Sequence, residues 1–212
     1  MEITLTTHGK VVQLELPDGD HISNVIQKNK DWYEKAMLED IQARNLTGEA
    51  IDVGACFGTH SLYFAAICGL SVLAIEPRSD NFEVLLKNIE LNRPVNIRVL
   101  NAAVGSHTGF VTLAQELAGN RGSTVATVAP IGIPLLTIDS LSTSAVALLK
   151  IDVEGMELDV LHGAEATIKH NRPMIYVEAP HTHESVSKFL RGLNYREVGK
   201  WNATPTYGFA PR

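Results

Sequence analysis

The stretch AIDVGACFGTHSLYFA, from Ala50 to Ala65, constrains the fold of this chain more than any other. An apolar run ends at Asp52, glycines follow at positions 54 and 58, and a helical pattern begins after the second glycine. Because glycine adopts left-handed backbone angles at little steric cost, this pattern predicts a β-strand, a tight turn and a helix. A turn of this kind, at the start of a helix, is a common place to hold a ligand.

The same strand-and-helix pattern recurs along the rest of the chain. Further apolar strands are predicted at SVLAIEP, NIRVLNAAVG, AVALLKIDVEG, RPMIYVEAP and YREVGKW, and another strand at GFVTLAQ. Helices are predicted over SDNFEVLLKNIELN, which Ser79 or Asp80 can cap, and over MELDVLHGAEATIKHN. Apolar strands that alternate with helices are typical of a parallel sheet covered on both faces, so the predicted fold class is α/β and Rossmann-like. Such sheets bind ligands at the carboxyl ends of their strands, and the residues at those ends are the candidates for function.

Residues 1–45 show a different pattern. Alternating apolar and polar residues, followed by a turn at LPDGDH, predict a short β-hairpin or a pair of short strands, and DWYEKAMLEDIQARN predicts a helix. The expected organisation is a single domain over residues 1–212, in which this hairpin and helix precede a Rossmann-like core of residues 46–212.

Composition narrows the classes of function. The net charge of −6 and the sequence pI of about 5.7 argue against nucleic-acid binding, which usually needs a basic surface. The first residues lack a signal-peptide pattern and no apolar run is long enough to span a membrane, so we expect no membrane partner and a cytoplasmic location. The chain has two cysteines, Cys56 and Cys68, and we expect both to be reduced.

The glycine turn lacks the patterns that hold phosphate. Its spacing does not match Gly-x-Gly-x-x-Gly, and the chain has no Gly-Lys-Ser/Thr segment. The carboxylate of Asp52 would repel a phosphate but would attract a cationic ligand. Glu76, at the tip of the second strand of the core, is placed to accept hydrogen bonds from two ribose hydroxyls. A ribose and a cationic centre without a phosphate describe S-adenosylmethionine.

Four stretches of the sequence resemble the FkbM-type methyltransferases, which use S-adenosylmethionine. They are IDVGACFGTHSLYFA, AIEPRSDNFEVLLKNIELN, NAAVGSHTG and LLKIDVEGMELDVLHGA. The likeness runs from about WYEKAML to MIYVEA, and KIDVEG followed by VLHGA is its most specific part. The resemblance implies a class I methyltransferase fold, with a seven-stranded, mostly parallel sheet whose last strand is antiparallel.

The resemblance also implies a cofactor site, with a ribose ligand at Glu76 and two alanines near the adenine. The predicted cofactor-binding residues are Asp52, Gly54, Ala55, Cys56, Gly58, Glu76, Pro77, Asn101, Ala102 and Ala103. Position 56 departs from the family, which usually has Asn there. Asn and Gly tolerate left-handed backbone angles better than Cys does, so Cys56 predicts either a different turn or a strained one.

Three carboxylates are predicted to be catalytic. Asp152 and Glu154 lie two residues apart at the tip of a strand, and Glu178 ends the next strand. A hydroxyl acceptor must lose a proton, and neighbouring carboxylates raise one another's pKa, which provides a base suited to neutral pH. We expect Asp152 to be more buried than Glu154 and to act as this base. Alternatively, Glu154 only stabilises the start of the following helix through its charge, and Glu178 only ends a strand at the solvent.

Two loops carry the predicted substrate-binding residues. They are His181, in the segment HTH, and Asn120, in the segment GNRGST, which is expected to cover the acceptor pocket. The histidines of HTH, with Asp152 and Glu154, also offer ligands for a divalent ion, but methyl transfer does not require a metal and none is predicted. A polar surface turn and a flexible hairpin loop are the alternative interpretations of the two segments.

The predicted function is methyl transfer from S-adenosylmethionine, with a hydroxyl of a sugar or secondary metabolite as the favoured acceptor. The acceptor class follows only from the resemblance, which also allows N-methylation of a peptide side-chain amide. A nicotinamide-dependent oxidoreductase and a non-catalytic cofactor-binding module are the alternatives from other classes. The expected partner is a small-molecule acceptor or a peptide, and the sequence leaves the oligomeric state open.

Overall fold

The computed structural model describes residues 1–93, 96–115, 124–141, 143 and 145–212. The strands in this part of the chain are β1 (Glu2–Thr7), β2 (Lys10–Glu15), β3 (Glu49–Val53), β4 (Ser71–Ile75), β5 (Ile97–Leu100), β6 (Ala103–Val104), β7 (Gly109–Gln115), β8 (Thr124–Ala129), β9 (Ile133–Leu136), β10 (Val146–Ile151), β11 (Met174–Glu178), β12 (Tyr195–Trp201) and β13 (Thr206–Pro211). The α-helices are α1 (His21–Asn29), α2 (Lys35–Ala43), α3 (Thr59–Leu62), α4 (Ser79–Asn92), α5 (Glu157–His162), α6 (Glu165–Asn171) and α7 (His183–Gly192). A π-helical turn at Tyr63–Ile67 continues α3, and a 3₁₀ turn at Ile138–Ser140 follows β9.

Among the described strands, seven form one sheet in the order β12-β13-β11-β10-β3-β4-β5. Within it, β13 pairs antiparallel with both of its neighbours, and the other described pairs are parallel. This confirms the predicted α/β fold, with a mostly parallel sheet and an antiparallel last strand. All five residues of β3 are buried, because apolar clusters cover both faces of the sheet.

The parallel strands bring four of the predicted carboxylates to one edge of this sheet. Asp52 lies in β3, Glu76 directly follows β4, Asp152 directly follows β10, and Glu178 ends β11. Since the carboxyl ends of parallel strands meet at the same edge, strands that are distant in sequence deliver these side chains to one region.

The N-terminal segment packs against the core. The N–H groups of Gln13 and Glu15 in β2 donate to the side chains of Asn92 (2.8 Å) and Asn88 (2.6 Å) in α4. Apolar residues of the hairpin and of α2 belong to the same buried cluster as residues of β3 and of the π-helical turn. The N-terminal segment and the core thus share one apolar cluster. The boundary between them at residue 45 remains a prediction.

A second sheet, of four described strands in the order β6-β9-β7-β8, contributes to the same edge. The strand predicted at GFVTLAQ is confirmed as β7, and it pairs with both β8 and β9. Leu113 of β7 and Ala126 of β8 line a cavity at the carboxyl edge of the large sheet. Residues 116–123, which connect these two strands, lie outside the described residues. They include Asn120, so its substrate-binding role stays a prediction.

The ends of several elements differ from the sequence prediction. The hairpin turns at His8–Gly9, and the predicted turn at LPDGDH is present at Asp18–Gly19. Directly after it, Asp20 caps the unpredicted helix α1 by accepting hydrogen bonds from the N–H groups of Ile22 and Ser23. The single helix predicted over MELDVLHGAEATIKHN is two helices that break at Gly163. A Cβ atom there would lie 2.0 Å from the carbonyl oxygen of Gly105, so the break coincides with a close backbone contact.

The start of α4 and the C-terminal strand β13 also differ from what the sequence indicates. Neither Ser79 nor Asp80 occupies the N-cap position of α4, which is Arg78 and makes no side-chain capping bond. Strand β13 was not predicted because Gly208 and Pro211 weaken its strand pattern. In the structure, Gly208 leaves room for the ring of Trp201, which a Cβ atom would approach to 2.7 Å.

The glycine turn after β3 is confirmed and depends on two contacts. Gly54 has a φ of +80°, and a Cβ atom on it would lie 1.8 Å from the carbonyl oxygen of Asp152. Gly58 has a φ of +78°, and a Cβ atom there would lie 2.3 Å from a methyl carbon of Leu85 in α4. A side chain at position 54 would therefore push the turn away from the segment that follows β10.

Cys56 carries the backbone strain that its departure from the family pattern predicts. Its φ is +49°, in the left-handed region that residues with a side chain rarely adopt. The turn is held in this conformation because the N–H of Cys56 donates to the carboxylate of Glu76 at 2.8 Å. The strain and the hydrogen bond thus occur at the same residue.

We predict that Cys56→Asn does not destabilise the protein and gains up to ~1 kcal/mol, because Asn adopts left-handed angles more readily. The measurement is the free energy of unfolding from urea denaturation. Cys56→Ala is the control, because alanine keeps the strain and should show no gain. A loss of more than ~1 kcal/mol in Cys56→Asn, with Cys56→Ala unchanged, would show that the strain at this residue is negligible.

Candidate active site

A cavity of about 670 Å³, partly open to solvent, lies at the carboxyl edge of the large sheet. Most of its wall is apolar, with Val53, Ile75 and Val104 among the lining residues. Of the predicted cofactor-binding residues, those that line the cavity are Gly54, Cys56, Glu76, Pro77, Ala102 and Ala103.

Glu76 is the main polar group on the cofactor side of this cavity. It is 4% exposed, and its two carboxylate oxygens accept hydrogen bonds from the N–H groups of Cys56 (2.8 Å) and Arg78 (2.9 Å). Burial raises the pKa of Glu76 to about 7, although these backbone bonds and a bond from Asn81 oppose the shift. Each carboxylate oxygen has two lone pairs, so Glu76 keeps acceptor capacity for a ligand after binding the turn.

Asn101 supports the site from behind the cavity wall rather than from within it. Its amide donates to the carbonyl oxygens of Glu76 (2.8 Å) and Pro77 (3.2 Å). Asn101 therefore holds the turn after β4, and it is absent from the described lining of the cavity. Ala55 and Gly58 also shape the glycine turn without lining the cavity.

The structure changes the interpretation of Asp52. Its side chain is fully buried, accepts a hydrogen bond from Ser61 at 2.6 Å, and lies 3.4 Å from the ammonium group of Lys150. Asp52 is not among the residues that line the cavity, whereas the next residue, Val53, is. Successive strand residues point to opposite faces, so Asp52 points away from the cavity that Val53 lines. The charge of Asp52 is therefore offset by Lys150 rather than by a ligand in the cavity.

Lys150 is the functional candidate that the sequence analysis missed. It is 3% exposed, pairs in register with Asp52, and its ammonium group lies 3.1 Å from the carboxylate of Asp152. Burial opposes the charged form of this lysine, but the charges of Asp152, Asp52 and Glu34 outweigh burial and raise the pKa of Lys150 above its ordinary value. The signal was available, because a lysine between the apolar residues of LLKI is unusual in a buried strand.

A second cavity, of about 590 Å³ and also partly open to solvent, adjoins the first. Asp152 and Glu154 line both cavities, and Glu178 and His181 line only the second. The three predicted catalytic carboxylates and the predicted substrate-binding residue His181 thus all line the second cavity, and two of the carboxylates also line the first. Glu154 has a φ of +48°, a second strained backbone at this edge that the sequence did not predict.

Asp152 and Glu154 are both partly buried. The side chain of Asp152 remains 29% exposed and is held by Lys150, so the argument that burial singles out Asp152 does not hold. Burial raises the pKa of Glu178 to about 10, and the charges of Asp152 and Glu34 add to the effect. The expectation that the cluster raises at least one pKa is confirmed, but at Glu178.

The histidines of HTH do not act as a pair. His181 is exposed at the second cavity, whereas His183 stacks on Tyr207 at 3.7 Å and contacts Glu197 at 2.9 Å. The described residues contain no group of three or more His, Cys, Asp or Glu side chains arranged to hold a metal ion. Cys56 and Cys68 are both free thiols. Nor does any helix in the described ranges have the length and apolar character needed to cross a membrane.

Known proteins match both the sequence and the fold. A model of the methyltransferase FkbM domain matches residues 52–197. The hexuronic acid methyltransferase AglP of Haloferax volcanii is 30% identical over 147 residues, and the match covers 66% of this chain and 59% of that protein. The chain therefore spans less than two thirds of the length of this relative.

Solved methyltransferases share the fold. Methyltransferase FkbM from Methylobacillus flagellatus KT aligns with a TM-score of 0.58 at 19% identity, over 77% of this chain and 43% of that chain. Precorrin-6y C5,15-methyltransferase from Geobacter metallireducens GS-15 aligns with a TM-score of 0.54 at 14% identity, over 83% of this chain and 84% of that chain. Since the FkbM domain model covers more than half of the residues, this chain belongs to the FkbM methyltransferase domain family.

Proposed function

We propose that this chain is an S-adenosylmethionine-dependent methyltransferase that methylates a hydroxyl of a sugar or secondary metabolite. The observation that carries the proposal is the position of Glu76, a buried carboxylate fixed by the N–H groups of Cys56 and Arg78 on the wall of a largely apolar cavity. Membership of the FkbM methyltransferase domain family supports the same reaction and argues against the nicotinamide-dependent oxidoreductase.

The residues of the first cavity suit S-adenosylmethionine. Glu76 has acceptor capacity for the hydroxyls of a ribose, and Ala102, Ala103 and Val104 provide a flat, apolar wall for a planar base. Gly54 leaves the turn close to Asp152, so a ligand on the turn would lie beside the second cavity. When bound, the cofactor supplies a methyl group on a cationic sulfur.

The second cavity is the proposed acceptor site, because Asp152 and Glu154 line both spaces. Asp152, held by Lys150 at 3.1 Å, is the proposed base that takes the proton from the acceptor hydroxyl. Burial and the charge of Asp152 raise the pKa of Glu178, which favours its protonated form, and Glu178 is proposed to donate a hydrogen bond to the acceptor. Glu154 and His181 are proposed to contact the rest of the acceptor.

The favoured acceptor is a sugar because the relative AglP is a hexuronic acid methyltransferase. That relationship rests on 30% identity over part of each chain, so it supports the sugar class and leaves the individual acceptor to experiment. N-methylation of a peptide side-chain amide is the second candidate. A Glu178 carboxyl group with a raised pKa can donate a hydrogen bond, and the neighbouring Asp152 can accept one, which together suit an amide group.

We predict that cofactor affinity falls as the pH drops below about 7, because hydroxyl donors need the ionised form of Glu76, and its pKa is about 7. The dissociation constant of S-adenosylhomocysteine should rise up to ~10-fold per pH unit between pH 7 and 5.5. In Glu76→Gln it should be roughly 10–100-fold higher at pH 8 and nearly independent of pH.

Isothermal titration calorimetry is the measurement, and Glu83→Gln is the matched control because Glu83 is an exposed residue of α4. This control should retain the affinity and the pH dependence of the unsubstituted protein. Equal affinity in Glu76→Gln and the unsubstituted protein at pH 8 would remove Glu76 from the cofactor site.

The second prediction concerns Asp152. Asp152→Asn should bind S-adenosylhomocysteine with unchanged affinity and lower turnover by ~100-fold or more, because the amide cannot take up the acceptor proton. The assay uses labelled S-adenosylmethionine with a panel of neutral hexoses, hexuronic acids, secondary-metabolite alcohols and glutamine-containing peptides.

Asp159→Asn serves as the control, because Asp159 is exposed on the neighbouring helix α5. Transfer to peptides but to no hydroxyl compound would establish the N-methylation alternative. Full turnover in Asp152→Asn would assign the base to another group, with Glu178→Gln as the next variant. Cofactor binding without transfer to any member of the panel would favour the non-catalytic module.

A further inference from the structure

Lys150 places its ammonium group between two carboxylates. Its nitrogen donates a hydrogen bond to Oδ2 of Asp152 at 3.1 Å and lies 3.4 Å from Oδ1 of Asp52. The side chains of Lys150 and Asp52 are 4% and 0% exposed, whereas that of Asp152 is 29% exposed. The ammonium group therefore links a carboxylate inside the fold to one that lines both cavities.

The two contacts of this ammonium group are unequal. N–H···O hydrogen bonds are usually about 2.7–3.2 Å long, so the contact with Asp152 is within this range and the contact with Asp52 is beyond it. Among the described residues, no group donates a hydrogen bond to Oδ1 of Asp52. The other oxygen of Asp52, Oδ2, accepts a bond from Ser61 at 2.6 Å. Asp52 thus keeps one buried acceptor oxygen slightly beyond hydrogen-bonding distance of Lys150.

The fold fixes Asp52 and Lys150 beside each other. The two residues pair in register on the neighbouring strands β3 and β10, and Ser61 holds Asp52 from α3. A buried acceptor without a hydrogen bond is unfavourable, so its presence next to the proposed base needs an explanation. The chemistry proposed for Asp152 provides one.

Proton transfer changes the charge that Lys150 faces. The proton leaves the acceptor hydroxyl for Asp152, and the electron pair of the O–H bond stays on the acceptor oxygen, which bonds the methyl group. Asp152 becomes neutral, so its bond to the ammonium group weakens. A buried ammonium group that loses its partner is costly, and this cost would oppose the proton transfer.

We propose that Asp52 and Lys150 are positioning residues that set how readily Asp152 takes up the acceptor proton. Before transfer, Lys150 holds Oδ2 of Asp152 and leaves Oδ1 to face the acceptor. As Asp152 is protonated, the ammonium group moves towards Asp52 and donates a hydrogen bond to its Oδ1. Asp52 therefore keeps Lys150 compensated in both states. This proposal rests on the proposed function, and it replaces the cofactor contact that the sequence predicted for Asp52.

Other ionisable groups face the same edge and contribute a background charge. They come from the N-terminal segment (Tyr33 and Glu34), the glycine turn (Cys56), α3 (His60), the turn after β4 (Glu76), the segment after β10 (Glu154) and β11 (Tyr176, the register partner of Lys150, and Glu178). The side chain of Glu34 is 6% exposed and lies 3.7 Å from the ring of His60. Substitutions at Asp52 and Lys150 retain all of these groups, so the comparison isolates the ion pair.

The first measurement is the titration of the Asp152 carboxyl group, followed by carbon NMR of protein with isotope-labelled aspartate, without cofactor or acceptor. Asp152→Asn assigns the signal. Asp52→Asn should lower the midpoint by at least ~0.5 pH unit, because the full ammonium charge then acts on Asp152. The double variant Asp52→Asn/Lys150→Met should raise the midpoint by at least ~1 pH unit, because the cation that favours ionised Asp152 is gone.

Glu49→Gln is the matched control for these variants. Glu49 is another buried carboxylate of β3, with a 3% exposed side chain 2.7 Å from the guanidinium of Arg98, but it lies at the opposite end of the strand. This control should leave the Asp152 midpoint unchanged. The double variant removes both members of the buried pair, so it keeps the proposal testable if Asp52→Asn does not fold.

The second measurement is the turnover and cofactor affinity of the same variants, with the panel member that gives the highest turnover as acceptor. Asp52→Asn should lower kcat at its pH plateau by ~3–10-fold, because a carboxylate with a lower proton affinity is a weaker base. Its dissociation constant for S-adenosylhomocysteine should be unchanged. The acid limb of the kcat profile should move in the same direction as the NMR midpoint, which purely structural damage would not cause.

Opposite shifts of the midpoint in the single and double variants, with unchanged cofactor affinity, are the result that the proposal requires. Shifts in the same direction, or no larger than in Glu49→Gln, would overturn it. Weaker cofactor binding by Asp52→Asn at an unchanged midpoint would return Asp52 to the cofactor site and also overturn it. If the unsubstituted protein transfers no methyl group, the proposed function fails, and the role in catalysis with it. The carboxyl titration would still decide whether Asp52 and Lys150 set the charge of Asp152.

Discussion

The contact between Gly54 and the backbone of Asp152 is the constraint on which the site depends. A Cβ atom at position 54 would lie 1.8 Å from the carbonyl oxygen of Asp152, so only glycine lets the turn after β3 rest against the segment after β10. This approach brings the wall that carries Glu76 next to the carboxylates of KIDVEG. The two neighbouring cavities share Asp152 and Glu154 because these two turns touch.

A set of charges at the carboxyl edge links the N-terminal segment to the sheet. Lys150 lies between Asp52 and Asp152 within the sheet, and the charge of Glu34, at the start of α2, adds to theirs in raising the pKa of Lys150. Buried charges of this kind add little net stability, because desolvation cancels much of their attraction. The strained backbones of Glu34, Cys56 and Glu154 lie in the same region.

The fold could be predicted from the sequence because its strongest signals are local. Continuous apolar strands gave the parallel sheet, and the change from Asn to Cys at position 56 correctly indicated a left-handed residue. Strand β13 escaped prediction because its glycine serves a distant contact, namely the approach of Trp201 to Gly208. The helix break at Gly163 also depends on a distant contact, because Gly163 lies against the carbonyl oxygen of Gly105, and the sequence does not show this contact.

The site was harder to predict than the fold, because its electrostatics arise between distant segments. The rule that parallel sheets bind ligands at the carboxyl ends of their strands placed Glu76 and Asp152 correctly at the cavity. It could not show that Asp52 faces Lys150 instead. The burial of Glu178 and the inward position of Glu34 depend on how β11 and α2 pack, and neither has a sequence signature of its own. Lys150 did have a sequence signature, because it is the single cation in the apolar strand β10.

The central claim is that the cavity at the glycine turn holds S-adenosylmethionine through Glu76. A crystal structure of the protein with S-adenosylhomocysteine tests it most directly. The account predicts the ligand in the cavity lined by Gly54, Cys56 and Ala103, with both ribose hydroxyls about 2.6–3.2 Å from the carboxylate of Glu76. A ligand bound elsewhere, or a ribose that makes no hydrogen bond to Glu76, would contradict it.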